Sequence, residues 1–291
     1  MIFKGSATAL ITPFTGSGQV DFDALKKLLD FQINNGTKAI VVLGTTGEAS
    51  TISKQEKISI VEYAVDYVAG RVPVIAGSGS NDTAVAVETS KAYENLGVDG
   101  LLIVTPYYNK CTQNGLIKHY FEIADKVDTE IIVYSVQGRT GVNILPTTAV
   151  ELSKHKNITA IKEASGNIEQ ITEILRTSSL DVYSGDDGLT YPVLALGGQG
   201  IISVASNIIP KIVSEICENY FAGNIEKSRE LQFEINPLIK LLFLEVNPIP
   251  VKKAASLMGL CEGILRMPLT EMQPENVKLL EKELQKILIS N

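Results

Sequence analysis

The sequence predicts a (β/α)8 barrel with a C-terminal helical extension, and three observations carry that prediction. Short β-branched apolar runs alternate with helix-like segments. The runs read as strands buried on both faces, the mark of parallel sheet rather than hairpins. After Pro210 the pattern turns helical only. The division is therefore expected at 1–209 for the barrel and 210–291 for the helical region. A doubly wound sheet needs no eighth strand and wants clearer switch-point glycines.

The strands, in order, are "SATALIT", "AIVVLG", "VPVIAG", "GLLIVTP", "EIIVYS", "ITAIKE", "DVYSG" and "GIISVAS". The intervening helices carry their own end signals. Asp21 is placed to cap "FDALKKLLDFQINN", and Gly36 to end it. Ser53 and Glu56 have capping-box spacing ahead of "KISIVEYAVDYV". "AVAVETSKAYENLG" and "IEQITEILRT" continue the alternation, and "KIVSEICENYFAG", "IEKSRELQFEINPLIKLLFLEV", "PVKKAASLMG" and "PENVKLLEKELQKIL" make up the extension.

Composition narrows the function. The net charge of −7 disfavours nucleic acid, which wants a basic stripe, and anionic membrane surfaces. No apolar run is long enough to span a bilayer, and "MIFKGSATALITPF" does not read as a secretory signal. Cys111, Cys217 and Cys261 are odd in number and far apart, matching neither a disulfide framework nor a zinc site. His119 and His155 are too few for the usual metal clusters. These features point to a reduced, cytoplasmic setting.

Unusual residues collect where each strand ends: Thr12-Pro13-Phe14, "GTTGE", "AGSGSND", "TPYYN", "YSVQGRTG", "KEASGN", "SGDD" and "SVASN". In a barrel these ends form one rim, where catalytic groups gather. Strict alternation puts Ile158, Ala160 and Lys162 on one face, so Lys162 points into the barrel mouth. A lysine there serves as a fixed cation or as a nucleophilic amine. At an ordinary pKa near 10.4, about one molecule in 2,500 is neutral at pH 7. Burial lowers that pKa and opens Schiff-base chemistry. The plainer reading, a lysine snorkelling to water or pairing with Glu163, is weakened because Glu163 faces the other way. Tyr134 ends the neighbouring strand and can pass a proton to a carbinolamine; packing is its plainer role. The turn at Thr45 and Thr46 opens a helix and offers N–H and hydroxyl groups to a small carboxylate. On one rim, these groups describe imine chemistry on a small keto acid.

"GTTGE", "TPYYNK", "GRTG", "IKEASGN", "SGDD" and "NPIPVK" together resemble the dihydrodipicolinate synthases, in order and over essentially the whole chain. That family belongs to the pyruvate-dependent class I aldolases. The resemblance implies condensation of pyruvate with L-aspartate-4-semialdehyde, on the route to diaminopimelate and lysine. It implies Lys162 as the Schiff-base lysine, Tyr134 as proton relay, and Thr45 and Tyr108 as its partners, Tyr108 acting across a subunit interface. Thr46 and Ile202 match positions that hold pyruvate through main-chain groups. Gly185 lines the same pocket, and Arg139 matches the arginine for the semialdehyde carboxylate. A homotetramer, a dimer of dimers, is implied. No metal or other cofactor is expected, because the iminium carries the positive charge a metal would supply.

Two departures stand out. Where the family usually reads Tyr-Asn-Val-Pro, this chain has Tyr134-Ser135-Val136-Gln137. Gln137 lacks proline's fixed φ, so the Arg139 loop is expected to be less preorganised. Lysine-sensitive members carry histidines and a glutamate where this chain has Lys54, Lys57 and Val85, so weak or absent lysine inhibition is expected. Two other readings compete: a sialic acid or 2-keto-3-deoxy-sugar acid lyase, which would prefer hydroxyl partners to Arg139, and a catalytically silent binding barrel.

Overall fold

The computed structural model describes residues 1–290. Eight parallel strands close on themselves in chain order. They are β1 Gly5–Ala9, β2 Ala39–Val42, β3 Val74–Gly77, β4 Gly100–Val104, β5 Ile131–Ser135, β6 Ile158–Glu163, β7 Asp181–Ser184 and β8 Gly200–Ser203. Closure comes from β8 pairing with β1, with Ala7 opposite Ile202.

Helices α1 (Phe22–Asn34), α2 (Lys54–Val68), α3 (Thr83–Asn95) and α4 (Gln113–Ala124) follow the first four strands. After β5 come the single turn α5 (Gln137–Thr140) and α6 (Pro146–Leu152). α7 (Ile168–Thr177), α8 (Thr190–Ala195) and α9 (Pro210–Phe221) follow β6, β7 and β8. The chain ends in α10 (Ile225–Leu242), α11 (Ile249–Leu257) and α12 (Pro274–Ser290). The caps fall where the sequence put them. Asp21 accepts from the Ala24 N–H, and Ser53 with Glu56 forms a reciprocal capping box. Asn35, rather than Gly36, is the C-cap of α1, and Gly36 follows at φ +86°.

Alternation along each strand sorts side chains into two cores. Ala7, Val41, Ile75, Leu102, Ile132 and Ile202 fill the barrel interior. Ile40, Ile103, Val133, Ile161 and Val182 face the helices in the larger outer cluster, which also takes in Leu231, Leu238 and Leu280 of the helical extension. At the N-terminal end Phe3 stacks on Tyr183, ring centroids 4.2 Å apart, and the Tyr183 hydroxyl donates to the Phe3 carbonyl at 2.6 Å. These two rings close the floor of the barrel.

One register differs from strict alternation. Ile131 pairs with Ile158, but Ile132 pairs with Ala160, a bulge that leaves Thr159 unmatched. Ile158 therefore belongs to the outer cluster, while Ala160 packs inside. The extra residue resets the phase. Beyond it Tyr134 pairs with Lys162, and Lys162 with Tyr183.

Candidate active site

Lys162 sits one residue from the end of β6, and only 5% of it is exposed. Its Nζ lies 4.3 Å from the centroid of the Tyr134 ring, a contact that registered pairing of β5 and β6 dictates. Burial pushes its pKa down to about 8; Asp187 opposes that shift and Arg139 adds to it. Burial pushes the Tyr134 phenol up to about 12, with Arg139 and a contact from the Thr45 side chain pulling the other way. Near neutrality the pair is thus a partly neutral amine beside a fully protonated phenol.

Glycine at 185 is required by crowding. A Cβ there would lie 2.7 Å from the Ala164 Cβ and 3.1 Å from the Lys162 Cε. Two residues on, Asp187 is buried and accepts from the Ser203 hydroxyl, the Val204 N–H at 3.0 Å and the Ala205 N–H at 3.3 Å. Those donors support its charge against the burial that raises its pKa.

Thr45 and Thr46 ride on a tight loop between β2 and α2. Leu43 and Glu48 bracket it in the left-handed region, at φ +56° and +55°. The Glu48 carboxylate anchors the loop. It pairs with the fully buried Lys252 ammonium and accepts from the Arg266 N–H at 3.1 Å. Arg266 also reaches the carbonyls of Gly18 and Thr51 and the Glu56 carboxylate. The helical extension thus holds the loop in place.

Arg139 stands on α5, at the exposed edge of the site. The Gln137 loop is closed by its own hydrogen bonds: the Gly141 N–H donates to the Gln137 carbonyl at 2.9 Å, and the Thr140 hydroxyl donates to the Val142 carbonyl at 3.0 Å. Arg139 also donates to the main-chain oxygen of Asn247 at 3.0 Å.

These groups surround an inner cavity of about 180 Å³, whose walls include Thr45, Thr46, Tyr134, Arg139, Lys162, Gly185 and Asn247. An outer cavity of about 340 Å³ shares Thr45, Tyr134 and Arg139 with it and extends to Lys57 and Tyr107. Ile202 lies in the interior cluster, on the strand next to that of Gly185. Tyr108 is not brought into this chain's pocket. It is 90% exposed, at φ +75°, on the loop after β4. Sequence reasoning assigned no role to Asn247, Asp187, Glu48 or Lys252. All four fall in quoted motifs, but their partners are remote in the chain. Among the described residues, no group of three or more His, Cys, Asp or Glu side chains is arranged to hold a metal.

Comparison with known proteins follows the geometry. The model of the Dihydrodipicolinate synthetase family matches residues 2–287. The chain belongs to that family. A 4-hydroxy-tetrahydrodipicolinate synthase from Caldicellulosiruptor saccharolyticus is 54% identical over 97% of this chain and 96% of its own. The crystal structure of the dihydrodipicolinate synthase from Thermotoga maritima superposes with a TM-score of 0.97 at 44% identity, covering 98% of this chain and 99% of that one. The chloride-inhibited Acinetobacter baumannii dihydrodipicolinate synthase, crystallised with pyruvate, gives 0.97 at 41% identity, covering 99% and 100%. The dihydrodipicolinate synthetase family thus accounts for the barrel and its helical extension together.

Proposed function

We propose that this chain is a 4-hydroxy-tetrahydrodipicolinate synthase, condensing pyruvate with L-aspartate-4-semialdehyde through an imine on Lys162. The observation that carries the reading is the buried Lys162 amine, pushed down to about 8, against the Tyr134 ring at the open end of the barrel.

In this reading the neutral Lys162 amine attacks the pyruvate keto carbon. Tyr134, with Thr45, delivers the proton that lets the carbinolamine lose water. The iminium draws electrons from the methyl group, which gives up a proton and becomes an enamine. The enamine carbon attacks the aldehyde, the aldehyde oxygen takes a proton, and the adduct's own amine, once deprotonated, attacks the imine carbon and displaces Lys162, closing the ring. The Tyr134 ring face favours the cationic intermediate. Thr46 and Ile202 hold pyruvate through main-chain groups, Gly185 leaves it room, and Arg139 takes the carboxylate of the aldehyde. A guanidinium at that position favours a carboxylated aldehyde over a sugar, which supports this reading over a sugar-acid lyase. The reaction as written uses no metal or other cofactor.

The same proposal makes Tyr108 a group offered to a second copy, in a dimer of dimers. No described helix is long and apolar enough to cross a membrane, and a cytoplasmic setting suits this biosynthetic reaction. Weak lysine control is part of the reading too. Lys54 pairs with Glu88, while Lys57 and Arg139 both bring positive charge to the outer cavity, where a lysine ammonium would have to settle. Rates that stay flat across a millimolar lysine titration check it, and cooperative inhibition refutes it.

Borohydride trapping tests the chemistry. Incubation with pyruvate and borohydride should add one pyruvate-derived mass to the peptide holding Lys162. Undiminished labelling in Lys162→Ala refutes the assignment. Turnover with aspartate semialdehyde, run beside sugar aldehydes, separates the synthase from a lyase, and absence of trapping points to a silent barrel.

A further inference from the structure

The aldehyde in the reaction proposed above is an amino acid. Arg139 answers its carboxylate, but the scheme gives its ammonium group no acceptor. Both charged groups hang from one carbon, so a site that grips both needs an acceptor immediately beside the arginine. Asn247 is the residue Arg139 touches.

Asn247 is 6% exposed and lines the inner cavity with Lys162, Tyr134 and Arg139. It is held firmly. Its main-chain oxygen accepts from Arg139 at 3.0 Å, and just beyond it the Pro248 carbonyl accepts from the Lys252 N–H at 2.9 Å. Its carboxamide nitrogen donates to the Thr46 hydroxyl oxygen at 3.0 Å. That bond leaves the Thr46 hydroxyl hydrogen free to donate to a carboxylate. The Asn247 Oδ1 is buried and has no hydrogen-bond partner among the described residues. A buried carbonyl in that state is unfavourable unless a donor arrives to meet it.

We propose that the Asn247 side-chain oxygen accepts a hydrogen bond from the α-ammonium group of the aldehyde, making Asn247 a specificity-determining residue for an amino-aldehyde. The proposal rests on the reading that the second substrate is L-aspartate-4-semialdehyde. Asp186 shares the cavity wall, but one of its oxygens already accepts from the Gly188 N–H at 2.9 Å. Its role is decided by the same experiment.

The experiment compares the semialdehyde with its desamino counterpart, 4-oxobutanoate. KM for the semialdehyde and Ki for 4-oxobutanoate competing against it are measured in the wild type, Asn247→Ala, Asn247→Asp, Asn247→Ser and Asp186→Asn. The missing acceptor in Asn247→Ala should raise KM roughly tenfold or more, the size of one charge-assisted contact, and leave Ki within about twofold. Asn247→Asp keeps an acceptor and should keep the preference for the amino compound. Pyruvate trapping on Lys162 is read in every variant, and KM and Ki are compared at saturating pyruvate, which separates this effect from damage to the imine site. Asn247→Ser takes the place of Asn247→Ala should the latter not fold. An equal rise in KM and Ki shows a spacer for Thr46 and Arg139 and overturns the proposal. So does an unchanged preference in Asn247→Ala, a preference lost in Asn247→Asp, or one lost only in Asp186→Asn. A wild type that traps pyruvate yet never consumes the semialdehyde defeats the functional reading instead.

Discussion

Lys162 makes the folded chain less stable while making it reactive. Its unfolded pKa near 10.4 falls to about 8 on burial, a differential of about 3 kcal/mol against the folded ammonium. Below pH 8 both states are protonated and the penalty is complete. Between about 8 and 10.4 the folded state has shed the proton and the unfolded state has not, so stability rises with pH. Lys162→Met should therefore abolish trapping yet raise the melting temperature at pH 7, and the gain should shrink as pH climbs towards 10. Thermal melts at several pH values check this; a variant less stable at pH 7 would contradict the burial argument. The residue was legible because it broke an apolar alternation, as Tyr134 ended one. Ile158 was misread, because a bulge at Thr159 resets the phase without altering the residue pattern. Asn247 was overlooked, because an asparagine beside a proline looks like any turn until Thr46 and Arg139 are seen against it.

The element that decides the site is the loop between β2 and α2, and what secures it comes from the far end of the chain. Glu48 and Lys252 form an ion pair with no access to water, and Arg266 adds a main-chain donor. Removing one partner of such a pair strands the other charge, at a penalty of about 3–5 kcal/mol. Lys252→Met should thus lower urea stability by that amount and weaken pyruvate trapping through Thr45 and Thr46. Adding Glu48→Gln should recover part of the stability, since the stranded charge is gone. Urea melts of both variants read this; additive losses would mean the two side chains act independently. The Asp21 cap, the Ser53–Glu56 capping box and the strand runs were legible because they are local. The ion pair was not, because its partners meet only once the barrel has closed.

At the scale of the whole molecule, eight repeated strand–helix units and a helical tail were plain in the sequence, since apolar strand runs recur at regular spacing between helix-like segments. We propose the division after residue 209 as one of organisation rather than independent folding. α9 packs on β1, and the outer core runs without a break into α10 and α12. The proposed oligomer rests only on resemblance, because a single chain shows Tyr108 merely as an exposed ring. Sedimentation should find dimers or tetramers, and Tyr108→Phe should lower kcat while leaving assembly intact. A fully active monomer refutes both.

The stacked rings of Phe3 and Tyr183 turn the barrel into a cul-de-sac. Lys162 lies in its depth and Arg139 at its exposed edge. Whatever bonds to the lysine must enter before anything is gripped by the arginine. The water expelled when the imine forms must leave by that same doorway before the aldehyde fills it. In the proposed reaction, depth alone therefore sets the queue: pyruvate in, water out, aldehyde in, adduct out.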